Sequence, residues 1–490
     1  MIGTMKLKIF LGWPSALCLS ACLLPAQEAT EVEALKKQLK QATESFEKAL
    51  QEHRQIIESL TKRLDALQSE QAAVTNEQQK LRQLVAAPPP DGGRPPPVPA
   101  QAWSPAQPIT LARAGSAYMN VSFDALMDAG WSTARDPSAQ LQLGDHDPQQ
   151  RGFSLRNAEI GLDGAVDPYF KGFANIVFKL EKDQSTTVEL EEVFAQTTSL
   201  PANFQAKAGQ FFANFGRQNP QHPHQWAFVD SPLILTRAFG SDGLRNIGGQ
   251  LSWLLPTPFY SEAFLGVFNG QGGTAHSFRN TGEDDGTGTS RFHGRATIDR
   301  DLRGAGDLLF VPRLATSFDL TDHQTVVAGA SAAFGPNDTG ARARTEIYGV
   351  DLYWKWKPSN AHEGFPFVSW QTEALYRRFG AGADPLAPGP LPGESLRDWG
   401  FYSQILWGFK PRWVAGLRGE YVNGNSGAFD ASDIFRGQRT RVSPGLTWYP
   451  SEFSKLRLQY NYDHGESFGD EHSVWLQLEF QLGAHAAHKF

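Results

Sequence analysis

Residues 474–482 read Val-Trp-Leu-Gln-Leu-Glu-Phe-Gln-Leu. In an extended chain successive side chains point to opposite faces. Val474, Leu476, Leu478, Phe480 and Leu482 therefore share one face, and Trp475, Gln477, Glu479 and Gln481 the other. The same period of two recurs upstream. Leu456, Leu458, Tyr460 and Tyr462 alternate with Arg457, Gln459, Asn461 and Asp463. Val350, Leu352, Trp354 and Trp356 alternate with Asp351, Tyr353, Lys355 and Lys357. Phe170, Ala174, Ile176, Phe178 and Leu180 oppose Lys171, Asn175 and Lys179. Ala117, Met119, Val121 and Phe123 alternate with Tyr118, Asn120, Ser122 and Asp124.

Alternation alone also fits a soluble sandwich. Three further features favour a membrane barrel. The runs approach the roughly 9–11 residues that cross a bilayer at a tilt. Their apolar face is bulky and aromatic to its ends. Long Gly-rich segments, such as Gly270 to Gly294 and Gly380 to Gly393, alternate with short turns such as Tyr449-Pro450-Ser451, the asymmetry of outer-membrane barrels. A mean hydropathy of -0.38 does not argue against this, because lipid-facing and lumen-facing residues average out. Residues 103–490, at roughly 24 residues per strand with its loops, give about 16 strands. A barrel of that size leaves a water-filled lumen. The expected fold is all-β: a transmembrane antiparallel β-barrel of about 16 strands, preceded by an α-helical coiled coil.

Ahead of the barrel, residues 1–26 carry Lys6 and Lys8, an apolar run from Ile9 to Leu24 and small residues up to Ala26, the pattern of a cleaved signal peptide. Leu19-Ser20-Ala21-Cys22 also has the form of a lipobox, which leaves acylation of Cys22 open. Cys18 and Cys22 are the only cysteines. Residues 30–85 hold no Gly or Pro. Apolar residues there follow three- and four-residue steps, first from Val32 to Ile56 and then, after a stutter, from Ile57 to Val85. So narrow an apolar stripe needs a partner helix. A periplasmic coiled-coil stalk is expected, with a solitary amphipathic helix as the alternative. Residues 86–102 form a Pro-rich extended linker. The net charge of -7 gives no reason to expect nucleic-acid binding.

Four stretches resemble the phosphate-selective porin O and P family. They are Gly209-Gln210-Phe211-Phe212-Ala213-Asn214-Phe215-Gly216, Leu244-Arg245-Asn246-Ile247-Gly248, Val267-Phe268-Asn269-Gly270 and Gly445-Leu446-Thr447-Trp448-Tyr449. Phe490 supplies the terminal aromatic typical of outer-membrane barrels. The resemblance implies a 16-stranded bacterial outer-membrane porin, a homotrimer and passive diffusion of small solutes or ions, anions such as phosphate among them. One departure stands out. Residues 103–490 hold 24 Arg and 9 Lys against 41 Asp and Glu, so no basic excess marks an anion pore.

By alternation, the candidates for a basic pore lining are Lys171, Lys179, Lys207, Lys355, Lys357, Arg418 and Arg457. His222-Pro223-His224 is a metal-like pair, since two imidazoles can share a zinc or copper ion. A loop-packing pair is the simpler reading, and His485 and His488 are read the same way. Glu283-Asp284-Asp285 could hold calcium or simply be solvated. Glu189, Glu191 and Glu192 share a strand, with Glu189 and Glu191 on one face, where they either narrow and charge the lumen or, as the simpler reading, pair with Lys179 or Lys207. No Gly-x-Ser-x-Gly, P-loop or His-Glu-x-x-His motif is present, so no enzyme and no cofactor is expected. The expected partners are outer-membrane lipid, further copies of the chain and, through the coiled coil, peptidoglycan. An envelope tether with a barrel anchor and a dedicated outer-membrane transporter, for example for a metal with His222 and His224 at its mouth, are the alternative functions.

Overall fold

In a computed structural model, the structure describes Lys40 and residues 108–483, except 285, 287–288, 388, 426 and 428–434. The signal peptide, the linker, Phe490, His485 and His488 lie outside the described residues, and of the coiled coil only Lys40 is described.

Sixteen antiparallel strands close on themselves. They are β1 (Ala117–Ser132), β2 (Gly152–Ala165), β3 (Phe170–Leu180), β4 (Thr186–Thr197), β5 (Phe204–Phe212), β6 (Arg245–Leu254), β7 (Tyr260–Phe268) and β8 (Leu309–Thr321). They continue with β9 (Gln324–Pro336), β10 (Arg344–Trp356), β11 (Phe367–Ala381), β12 (Glu394–Lys410), β13 (Trp413–Gly424), β14 (Arg439–Ser451), β15 (Ser454–Gly465) and β16 (Gly469–Leu482). Each pairs with the next, and β16 pairs back to β1 from Phe123↔Leu482 to Ser132↔Ser473. A short strand, Ile109–Ala114, pairs with the start of β1 and extends the seam beyond Leu482. Closure leaves no open sheet edge, which is the condition for strands in lipid.

The stretch at 474–482 shows why this barrel suits a membrane. Val474, Leu476 and Phe480 are exposed, whereas Trp475, Gln477 and Glu479 are buried at 2–4% exposure. Outward Ile247, Leu251, Leu314, Val350, Ile405 and Leu458 continue the apolar surface around the barrel. Trp253, Trp370, Trp407 and Trp448 ring the end with short turns, and Trp131 and Trp399 sit towards the other. Such belts mark the two interfaces of an outer-membrane barrel. Val350 lies mid-strand between the outward Ala330 and Ala374. Val350→Arg is therefore expected to cost about 2–4 kcal/mol, read as a lower urea midpoint for the barrel refolded in vesicles. An unchanged midpoint would show that this face does not meet lipid.

One end carries short connections, such as 322–323, 411–412 and 452–453. The other carries long ones, such as 133–151, 213–244, 269–308 and 425–438. Tyr449-Pro450-Ser451 proves to be the last turnward part of β14, and the turn itself is Glu452-Phe453. The side chains of 283–285 lie outside the described residues.

Candidate functional site

The lumen is not an open tube. Residues 213–244, between β5 and β6, fold into it. The cause is in their composition: Phe215, Leu233, Ile234, Leu235, Ala238 and Phe239 need burial, and only the barrel interior offers it. The helix α1 (Leu233–Phe239) is buried at every residue. It packs with Phe211, Phe268, Val311, Ile347, Leu375 and Val422 of the inner wall. Phe215 and Phe239 meet edge to face at 5.0 Å.

The two roots of the loop are stapled together. Asn219 Nδ2 donates to Ala213 O and Leu244 O, at 2.8 and 3.1 Å, and its Oδ1 accepts from Leu244 N at 2.8 Å. Gly216 makes the inward bend at φ +62°, a conformation that disfavours a Cβ. A side chain there would also strike Glu373. That carboxylate accepts from Arg217 N and Gln218 N, and Gly216 N donates to Ser331 Oγ at 3.0 Å.

The far side of the loop is held by buried charge. Asp230 accepts from Arg441 Nη1 at 2.9 Å, Gln459 Nε2 at 2.8 Å and Asn461 Nδ2 at 2.7 Å, and is paired with Arg418. Burial alone would raise the Asp230 carboxyl, but the Arg418 and Arg441 guanidiniums hold it down, at about 2. Glu420 accepts from Leu233 N, Arg457 donates to Trp226 O, and Lys455 donates to His224 O. A second knot joins α1 to the outer loops. Asp398 binds Arg377 and Arg436 at 2.6 and 2.7 Å, and Arg377 donates to Ser277 Oγ. Arg237 of α1 lies in the same field. Burial lowers it to about 10, with Arg377, Arg436 and Arg439 acting the same way against the attraction of Asp398.

The opposite wall is acidic. Across β1 and β2, Asp124 stands directly opposite Glu159. A bulge in β4 between Leu190 and Glu192 turns both Glu191 and Glu192 inward. His222 enters between them, with Nδ1 2.8 Å from Glu191 and Nε2 2.9 Å from Glu192. His224 Nδ1 lies 3.6 Å from Glu159 and 3.9 Å from Asp124. Burial would lower His222, but Glu191, Glu159 and Glu192 raise it well above its ordinary value. His146, on loop 133–151, is likewise lowered by burial and raised more strongly by Glu191, to about 9.

The structure thus separates the sequence-derived residues. Lys171, Lys207, Lys355 and Lys357 gather towards the short-turn end. Lys179 is buried near the long-loop end between Asp145 and Glu189, so the pairing expected for Glu189 is present, whereas Glu191 pairs with histidine. Arg418 and Arg457 point inward, but the loop covers them. Asp124 and Glu159 were not singled out from sequence, and Glu192 was not placed on the face of Glu189 and Glu191. The first was visible as the polar side of an alternation, and the last was hidden by the bulge. Arg217, on the loop, was also missed. It is half-buried, 4.0 Å over the Tyr353 ring, near the wall that carries the Arg313–Asp351 pair.

No family model matches the chain. A protein of Aquifex aeolicus (strain VF5), described as uncharacterized, is 33% identical over 363 residues, spanning 70% of this chain and 71% of that one. The chain belongs to the family of that protein. Among solved structures, the anion-selective porin from Comamonas acidovorans is similar with a TM-score of 0.46 and 8% identity, over 75% of this chain and 100% of that one. OmpT of Vibrio cholerae, an outer-membrane protein, gives 0.45 and 8% identity over 76% and 99%. OprB of Pseudomonas putida gives 0.44 and 10% identity over 74% and 94%.

Proposed function

We propose that this barrel is a porin of the outer membrane, a passive diffusion channel for small hydrophilic solutes and ions. The observation that carries the reading is the inward loop: it is fastened to the basic wall of β11–β15 and the acidic wall of β1–β4, and it narrows the lumen. A constriction then sets the size limit, and its charges bias the ion.

On this reading the passage runs past Lys207 and Arg217, on the short-turn side of the apolar contacts that the loop makes with Phe211, Phe268, Val311 and Ile347. Lys207 and Arg217 are half-buried there: Lys207 lies over the Phe194 and Phe211 rings in the field of Glu192, and Arg217 lies over the Tyr353 ring. Arg313 is neutralised by Asp351, at 2.6 Å. Lys171, Lys355 and Lys357 add positive charge towards the short-turn mouth. This gives an anion preference, with phosphate among the solutes, as the resemblance to the phosphate-selective porins implies. Arginine suits phosphate because its guanidinium can bind it through two hydrogen bonds. The assembly that goes with this reading is a homotrimer, with the N-terminal coiled coil as a periplasmic stalk that reaches peptidoglycan.

In the double variant Lys207→Glu, Arg217→Glu, the reversal potential in a salt gradient is expected to move towards cation preference. Extending the exchange to Lys171 and Lys355 should increase the shift. Identical reversal potentials in wild type and variants would overturn the placement of the passage.

A further inference from the structure

The outward surface of β10–β12 carries charge that the channel reading does not use. Tyr348, Tyr376 and Trp399 stand side by side across these strands, all exposed on the outer face. Amphipathic rings of this kind settle at the headgroup level of a membrane. Two residues further along each strand, towards the long-loop end, the outward line reads Glu346, Arg378 and Arg397. Arg378 and Arg397 are direct cross-strand neighbours. Both face outward, since the flanking Arg377, Leu396 and Asp398 are buried.

Like charges directly opposite are destabilising on a sheet. The groups around this pair leave it uncompensated. Glu346 Oε1 lies 3.6 Å from Arg378 Nη1, too long for a hydrogen bond, and its Oε2 accepts from Tyr348 OH at 3.3 Å. Arg378 Nε donates to the neutral Ser395 Oγ at 3.3 Å. Arg397 is held through its backbone N–H, which donates to Asn425 Oδ1, and among the described residues no carboxylate pairs with its guanidinium. Arg344, one step further along β10, adds a third exposed cation, with Nη1 donating to Gly306 O at 3.2 Å. In water alone such arginines would need no partner, because solvent and salt screen them. The aromatic line beneath them places this row at the height of lipid headgroups instead.

We propose that Arg378 and Arg397 together bind a phosphate group of an anionic lipid of the outer leaflet, with Arg344 at its edge. A planar guanidinium matches phosphate through two parallel hydrogen bonds, and the anion supplies the negative charge that the opposed pair requires. A lipid fits better than a free ion, because the apolar surface continues directly below: Val350, Ala374 and Phe401 form the line beyond the aromatic one. A symmetric contact with a second copy through this face would set arginines against arginines. The inference rests on the outer-membrane reading of the barrel and not on its conductance.

The test uses the full-length protein, refolded into phosphatidylcholine vesicles that contain either diphosphoryl lipid A or the same lipid with its phosphates removed. Insertion is read first, as protection of the barrel from protease. Wild type is expected to insert into both, to show a higher urea midpoint with the phosphorylated lipid, and to retain that lipid through detergent extraction. In the double variant Arg378→Gln, Arg397→Gln, whose exchanged side chains are exposed, insertion is expected to be unchanged and the preference for phosphorylated lipid to fall about tenfold. Equal midpoints and no retained lipid in wild type overturn the proposal, as does an undiminished preference in the double variant. A rise of the same size from inorganic phosphate overturns the lipid as the ligand, and a changed subunit number in the double variant means that a second copy covers the row. Failure of wild type to insert into either vesicle would strike the outer-membrane reading itself, whereas insertion without lipid preference strikes this site alone. If the double variant does not insert, the wild-type comparison and Arg397→Gln decide.

Discussion

Asp230→Ala is expected to release the inward loop. Four donors converge on this one carboxylate, and two of them belong to buried arginines. A buried ion pair adds little net stability over an apolar replacement, but removing one partner strands the other. Arg418 keeps Glu420 and Arg441 keeps Asp463, but Arg439 also shares Asp463, so three buried guanidiniums would be left with two carboxylates. The expected cost is about 3–5 kcal/mol, read as a lower urea midpoint. The same variant should raise single-channel conductance, because residues 226–233 lose the charged one of their anchors to β13–β15 and keep only those at Trp226, Val229 and Leu233. The pH dependence has a definite sign. The Asp230 carboxyl sits lower in the folded state than its ordinary value of 3.8, so its contribution is complete above about pH 4 and fades as pH falls towards 2. The alanine variant should lack that acid component. Wild-type stability and conductance in Asp230→Ala would mean that the loop is held by its apolar contacts alone.

Asp398→Asn is expected to be the second large effect. This carboxylate accepts from Arg377 and Arg436 and also attracts Arg237. Neutralising it removes the carboxylate that the Arg377, Arg436 and Arg237 guanidiniums share. A loss of about 3–5 kcal/mol is again expected. The structural consequence differs from that of the first variant. Arg377 reaches Ser277, whose hydroxyl donates to Ala238 O, so the knot joins β11, the 269–308 loop and α1. Protease accessibility of the 269–308 and 425–438 loops should rise in Asp398→Asn and stay unchanged in Asp230→Ala. Equal protection in both variants would contradict this division of labour.

The barrel was legible because alternation is local. Each strand states its own two faces, and Val474 to Leu482 obeys that reading residue by residue. The parity of Lys179, Arg418 and Arg457 followed from the same rule, and all three are buried inside the barrel. What covers them was not legible, because contacts such as Arg418 to Asp230 join residues 188 apart in the chain. The inward loop did leave a trace: Leu233-Ile234-Leu235 is an apolar run with helical partners Ala238 and Phe239, inside a segment otherwise rich in turn residues. The family-like stretches around Phe211, Leu244 and Phe268 also frame it, since all three lie in the core that the loop forms with the wall. Glu192 escaped for a different reason. A β-bulge inserts one residue and resets the parity, and no rule of alternation announces it.

The central claim is that a narrowed lumen conducts. Planar-bilayer recording of the refolded full-length protein, with reversal potential under a salt gradient, tests it most directly. Stepwise openings with a reversal potential on the anion side, and larger steps in Asp230→Ala, are the results this account predicts. A protein that inserts into the bilayer and stays silent, in wild type and Asp230→Ala alike, would contradict it.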